Sequence, residues 1–214
     1  MKKNVKKIVL FFFTGTILLS CKRPEKTVAP IISNEELTTI QLKLTNTVNA
    51  VDTLTAQWQQ LLDANGNPLP VDTSKAVLTL TANATYTCSL LIYDKSQNPV
   101  VNVTTEIYYR RNYHLFFYQP TPITTQNLII SNTSTDIPGT PTSTSGSYLN
   151  LTVIRTDYDT NNPPLQVGLS TNFVTGAASS GRLRVVLRHQ PDAKNGTYAP
   201  GSSDLDINFS VTIN

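Results

Sequence analysis

A period of two in hydrophobicity is the feature that most constrains what this chain can fold into. It is clearest over residues 204–213, where the apolar positions are Leu205, Ile207, Phe209, Val211 and Ile213. Successive side chains of an extended strand point to opposite faces, so this alternation gives one buried face and one wet face. The C-terminal segment is therefore predicted to be a strand of a sheet that covers a core.

The same alternation recurs through residues 35–214. Its apolar positions are Ile40, Leu42 and Leu44; Leu54, Ala56 and Trp58; Tyr86, Cys88, Leu90 and Ile92; Leu149, Leu151 and Val153; Leu165, Val167 and Leu169; Leu183, Val185 and Leu187. Turn-forming sequences separate these stretches, among them Asn65-Gly66, residues 159–164 and Asn195-Gly196. Many short strands joined by turns predict one all-β domain over 35–214, an antiparallel β-sandwich with immunoglobulin-like topology.

Two segments depart from the strand pattern. Residues 101–113 fit a helix with Glu106 and Arg110 as an i,i+4 pair, and they also fit a strand through Val103 and Ile107. We favour a short helix that crosses one end of the sandwich. Residues 135–146 are rich in Pro, Thr, Ser and Gly, which predicts a long mobile loop.

The N-terminus predicts export and lipid attachment. Four lysines within residues 2–7 precede an apolar run over 8–19, which is too short for a stable membrane span. The run ends in Leu18-Leu19-Ser20-Cys21, which resembles the lipobox of bacterial lipoproteins. That resemblance implies a signal peptide over 1–20, lipidation of Cys21, a tether over 21–34 and a lipid-anchored place in the cell envelope, the outer membrane by our expectation.

Charge and cysteine content exclude some classes of protein. The chain has 17 Lys+Arg and 14 Asp+Glu, and removal of residues 1–20 takes away four lysines and no acid. The remainder has a formal charge of −1, so we expect no nucleic-acid partner. With Cys21 lipidated, Cys88 has no cysteine to pair with and is predicted to be a small buried hydrophobe.

Most of the predicted domain resembles a group of Bacteroidota outer-membrane lipoproteins of unknown function. The blocks that carry the resemblance are 34–39 (NEELTT), 114–118 (HLFFY), 175–178 (TGAA), 187–192 (LRHQPD) and 204–207 (DLDI). Members are often labelled "type 1 periplasmic-binding fold superfamily", a name that implies a doubly wound α/β fold, whereas the strand pattern here predicts an all-β one. The resemblance implies a surface or periplasmic partner of a TonB-dependent outer-membrane transporter.

The two histidines of the chain are the candidate ligands for a transition metal or haem iron. His114 opens an aromatic run and His189 closes a patterned stretch, and Glu106 could complete the set if these places meet. The alternative is that each histidine is a polar residue at a strand end, bonded to backbone.

A second candidate is a calcium loop with oxygen ligands at Asp157, Asp159 and Asn161. It lacks the glycine and the distal glutamate of an EF-hand, and Asp and Asn are also favoured in plain turns. The densest aromatic group could stack on a sugar, a haem or a partner, or pack in the core: Tyr108, Tyr109, Tyr113, Phe116, Phe117 and Tyr118.

Catalytic motifs are missing from the sequence, so we nominate no catalytic residue and expect no enzyme. The leading interpretation is a lipid-anchored binding or accessory protein, with a metal or small-molecule ligand held by loops at one end of the sandwich. The alternative is a structural or adhesive surface module. A glycan-active hydrolase ranks third.

Overall fold

A computed structural model describes residues 36–122 and 148–214, and the alternating stretches form most of its strands. The predicted signal peptide over 1–20, the predicted lipidation site at Cys21, the predicted tether over 21–34 and the predicted loop over 135–146 lie outside the described residues. The elements are β1 (Thr39–Asn46), β2 (Thr53–Gln59), β3 (Val77–Leu80), β4 (Thr85–Asp94), β5 (Val101–Asn102), α1 (Val103–Tyr109), β6 (His114–Thr121), β7 (Leu151–Arg155), β8 (Ser170–Thr175), β9 (Ser179–His189) and β10 (Ser202–Ile213).

The strands form two sheets. The first sheet has the order β2-β1-β4-β8-β7, with β5 paired to β4 off this path. The second sheet has the order β3-β10-β9-β6. All neighbours are antiparallel except β3 and β10, which pair in parallel. The predicted antiparallel β-sandwich is confirmed.

The strand order is that of an immunoglobulin-like sandwich. In that fold strands A, B, E and D share one sheet and strands C, F and G share the other. Here β1, β4, β8 and β7 take the places of A, B, E and D, while β6, β9 and β10 take those of C, F and G. Two further strands are added to this topology: β2 extends the first sheet beside β1, and β3 extends the second sheet beside β10.

The core lies between the inward faces of the two sheets. Ile40, Leu42 and Leu44 of β1 are fully buried, as the alternation predicts, and so are Val185 and Phe209 from the opposite sheet. Burying a side chain of this size contributes about 1.5–3 kcal/mol. Cys88 is buried in the same core and forms no disulfide, in agreement with its predicted role.

The strand predicted through Leu165, Val167 and Leu169 is wrong. Residues 156–169 form the connection between β7 and β8, and its one ladder contact is the isolated bridge from Tyr158 to Gln166. Gly168 has a φ of 101°, which is not a strand conformation. The alternation over these five residues predicts a strand that does not exist. Val167 and Leu169 belong to a loop, but their side chains are buried in the core, and this produces the same apolar spacing as a strand.

The connection between β4 and β6 contains the short helix predicted within residues 101–113. The Asn102 side chain caps α1, since its Oδ1 accepts a hydrogen bond from the Thr104 N–H at 3.1 Å. Val103 and Ile107 lie on its buried face, so these two residues attach α1 to the core. No helix among residues 36–122 and 148–214 is long and apolar enough to cross a membrane.

Three connections meet at one end of the sandwich, which we call the loop end: residues 95–113 between β4 and β6, 156–169 between β7 and β8, and 190–201 between β9 and β10. The chain also enters the sandwich at this end, because Thr39 pairs with Tyr93 near the end of β4. It leaves at the opposite end, where Ile213 pairs with Ser179.

Candidate ligand pocket

An open pocket of about 440 Å³ lies at the loop end. Residues from all three connections line it, and most of them carry amide or other polar side chains: Asn112, Tyr113, Asn161, Asn162, Pro163, Leu165, Asp192, Lys194 and Asn195. Neither histidine lines this pocket directly, although Tyr113 immediately precedes His114. Part of the predicted calcium loop does, through Asn161.

A buried ion pair fixes the wall of the pocket. Lys194 Nζ lies 2.8 Å from Asp159 Oδ2, with 1% of the lysine side chain and none of the aspartate side chain exposed. The same ammonium donates a hydrogen bond to the carbonyl oxygen of Arg111 at 2.9 Å. One side chain therefore ties the connection that follows β9 to the other two connections of the loop end.

Asp159 is held as a carboxylate. Burial alone would raise its pKa, but the Leu165 N–H, the Lys194 ammonium and the Asn161 N–H all donate to it, and together they hold the pKa below its ordinary value. The distances to the nitrogens of Leu165 and Asn161 are 2.8 and 3.0 Å. A buried charge needs such partners, because an unpaired one costs several kcal/mol.

The asparagines of the pocket combine fixed oxygens with available N–H donors. Asn112 Oδ1 accepts hydrogen bonds from the N–H and the hydroxyl of Thr160, at 3.0 and 2.9 Å. Asn195 Oδ1 does the same for Thr197. Within the described residues nothing accepts from the Nδ2 of either asparagine, and Asn162 makes no side-chain hydrogen bond at all. These amides, with the half-exposed Tyr113 ring and exposed Asp192, suit a polar ligand.

His114 and His189 do meet, as a stacked pair. They lie directly opposite each other on β6 and β9, with ring centroids 4.9 Å apart and planes within 12°. His114 Nδ1 lies 3.0 Å from the carbonyl oxygen of Arg110, which can only accept, so that nitrogen carries the proton. Burial lowers the His114 pKa to about 4, although the hydrogen bond with the Arg110 carbonyl opposes this shift. The neighbouring His189, Arg110 and Lys194 side chains lower the His114 pKa further.

The geometry of this pair does not favour metal binding. An imidazole lone pair lies in the ring plane, so two stacked, nearly parallel rings do not direct lone pairs at one point. Across residues 36–122 and 148–214, no group of three His, Cys, Asp or Glu side chains could hold a metal ion. Glu106 therefore does not complete a site with the histidines, and the backbone-bonded alternative describes His114.

The predicted calcium ligands also bind the protein itself. Asp157 accepts from the N–H groups of Gly168 and Leu169 at 2.8 and 3.0 Å. Asn161 donates its Nδ2 to Asp159 at 2.9 Å, and the Lys194 ammonium lies where a cation would bind Asp159. The alternating oxygens thus shape the connection from β7 to β8 in the way that the turn alternative describes.

The aromatic group divides between core and surface. Phe116 and Tyr118 face the main core, and Phe117 joins a small outer cluster with Leu115, Val186 and Tyr198. Tyr108, Tyr109 and Tyr113 are exposed.

Sequence reasoning missed Lys194 and the asparagines at positions 112, 162 and 195. A lone lysine in a polar turn has the sequence signature of a solvated residue, and only the fold shows that it is buried against Asp159. Asparagine in a turn is so common that it singles out no site.

No protein-family model, curated protein or solved structure matches this chain. The structure shows an all-β, immunoglobulin-like sandwich with a polar pocket between the connections at one end.

Proposed function

We propose that this protein is a lipid-anchored binding protein of the bacterial cell envelope that takes a small polar ligand in the loop-end pocket. The observation that carries the proposal is a pocket of about 440 Å³ whose wall is fixed by a buried ion pair. Ligand sites commonly have volumes of roughly 300–1,000 Å³. A wall that is already ordered lowers the conformational cost of binding.

The lining indicates the charge of the ligand. Asp159 neutralises the Lys194 ammonium, which is also buried, so this lysine is not available to an anion. Asp192 is the exposed charged residue of the lining, and the remaining polar groups are amides and a phenol. We therefore expect an uncharged or weakly cationic ligand with several hydrogen-bonding groups.

The ligand hypothesis can be tested with small probes. Saturation-transfer NMR on the full-length protein in detergent would screen free monosaccharides, nucleosides and dipeptides. Asn162→Trp places a large ring in the pocket and should abolish saturation transfer from the protein to any probe that binds there. Asn65→Trp is the matched control, because Asn65 is an exposed asparagine in the turn after β2. Equal saturation transfer to a probe from both variants would place the probe's binding site outside the pocket.

The anchor is proposed from the lipobox at Cys21. Cys21→Ser should leave the precursor unlipidated and shift the protein out of the membrane fraction of its host. Unchanged fractionation would contradict the anchor and leave the pocket hypothesis untouched.

The resemblance to Bacteroidota lipoproteins supports partnership with an outer-membrane transporter, and no catalytic role is proposed. Crosslinking in intact cells, followed by purification of the tagged protein, should recover a TonB-dependent transporter. Recovery of the protein without any such partner would count against the association.

A further inference from the structure

A groove separate from the loop-end pocket lies between α1 and strands β4 and β8. Its volume is about 310 Å³. Ser89 and Ser170 from the strands and Asn102 and Thr105 from the start of the helix contribute hydroxyl and amide groups to its lining. No Asp, Glu, Lys, Arg or His lines it among the described residues.

Two exposed tyrosines border this groove. Tyr109 is 73% exposed and Tyr108 is 52% exposed, and their ring centroids lie 6.0 Å apart in an edge-to-face arrangement. Their exposure follows from the helix, because Val103 and Ile107 occupy the face of α1 that attaches to the core. Adjacent exposed aromatic rings at the border of a groove commonly mark a binding surface.

Arg111 stacks on one of these rings, that of Tyr108. Its guanidinium carbon lies 4.5 Å from the centroid of the Tyr108 ring, and its Nη1 donates to the Tyr108 carbonyl oxygen at 2.9 Å. The carbonyl oxygen of Arg111 in turn accepts from the buried Lys194. The aromatic border is therefore connected through Arg111 to the buried pair of Lys194 and Asp159.

We propose that this groove binds a neutral glycan chain. A pyranose ring has an apolar C–H face, which packs on an aromatic ring, and a rim of hydroxyls, which the serine, threonine and asparagine side chains can bind. The uncharged lining favours a neutral polymer over an anionic one, and the open shape admits a chain. The groove shares no lining residue with the loop-end pocket, so the proposal does not rest on the function proposed above.

Affinity electrophoresis of the full-length protein in detergent tests the proposal. The gels would contain neutral polysaccharides (dextran, laminarin, xyloglucan, galactomannan) or anionic ones (alginate, heparin). We expect retardation by at least one neutral polymer. Tyr109→Ala should weaken that binding about tenfold or more, which corresponds to ~1.4 kcal/mol. Tyr109→Phe keeps the ring and should stay within about threefold of wild type.

The matched control is Tyr148→Ala, an exposed tyrosine next to the strand end that lies away from the loop end. It should bind like wild type, as should Asn162→Trp, which alters only the other pocket. The proposal is overturned if no neutral polymer retards the protein, if anionic polymers bind better, or if Tyr109→Ala binds as well as Tyr148→Ala. Circular dichroism of each variant separates loss of binding from loss of fold.

Discussion

Lys194 Nζ and Asp159 Oδ2 form a 2.8 Å ion pair that is shielded from water, and the two residues belong to different connections of the sandwich. Asp159 precedes β8 in the first sheet, and Lys194 precedes β10 in the second. The pair therefore joins the two sheets at the loop end through a charge interaction, in addition to the apolar packing of the core.

The first prediction concerns this pair. Lys194→Met should lower the free energy of unfolding by about 3–5 kcal/mol, because it leaves the Asp159 carboxylate buried without its cation. Urea denaturation monitored by circular dichroism would measure the change. Lys75→Met is the control, since Lys75 is exposed and should change stability by less than about 0.5 kcal/mol. Equal stability of the two variants would show that the pair is not a structural tie.

The second prediction is a loss of stability in mild acid caused by His114. The pKa of His114 is about 4 in the folded protein, whereas its ordinary value, which applies to the unfolded chain, is 6.5. At a pH between these two values the unfolded chain binds a proton that the folded chain does not. Stability is therefore unaffected above pH 6.5 and falls as the pH drops from 6.5 toward 4. The expected loss is about 2 kcal/mol by pH 5.

Unfolding titrations of wild type and His114→Gln between pH 7.5 and pH 5 would check this. The variant keeps a donor for the Arg110 carbonyl and removes the titrating ring, so its stability should vary less across this range. Carboxylates with a lowered pKa, such as Asp159, lose most of their contribution below pH 3.8, outside the window. Identical slopes for the two proteins would rule His114 out as the source.

The third prediction concerns Gly201, just before β10. Its φ is +77°, and a Cβ added there would collide with the backbone of His189. Gly66 has a similar φ of +81°, and no atom lies within 4 Å of the position that a Cβ would take there. Gly66→Ala should therefore cost only about 1–2 kcal/mol for the left-handed backbone, and Gly201→Ala should cost more. Thermal unfolding of both variants measures the difference, and a smaller cost at Gly201 would refute the close approach.

The fourth prediction concerns the thiol of Cys88. Burial raises its pKa to about 12 despite the opposing effect of the neighbouring Thr171 side chain, so very little thiolate forms at pH 8. In the Cys21→Ser variant, where Cys88 is the only cysteine, a disulfide reagent should react roughly 1,000-fold more slowly in the folded protein than after denaturation. Rapid native reaction of one thiol per chain would show that the core opens at β4.

The architecture could be predicted because a strand that is buried on one face has apolar residues at every second position of its sequence. The alternation over β10 predicts its buried set, from Leu205 to Ile213, and the same holds for β1 and β4. The parallel pairing of β3 with β10 could not be predicted, because β3 is four residues long and its alternation is the same whichever strand it joins.

The candidate site could be predicted only in part. From the sequence we expect a site at connecting loops, with His114 and His189 as candidates to meet there. In the structure the two imidazole rings are in contact. The ligand chemistry could not be predicted, because an oxygen at Asp157 or Asp159 serves a metal or a backbone N–H equally well in sequence. In the folded protein a partner of Asp157 is the N–H of Gly168, and a partner of Asp159 is the ammonium of Lys194. Their positions depend on the tertiary structure and cannot be inferred from the local sequence.

The first strand begins and the last strand ends at opposite ends of the sandwich, which has a practical consequence. Thr39 begins β1 at the loop end, and Ile213 lies at the far end beside Ser179. A surface attachment made after Asn214 would hold the protein by its far end and present the loop-end pocket to solution.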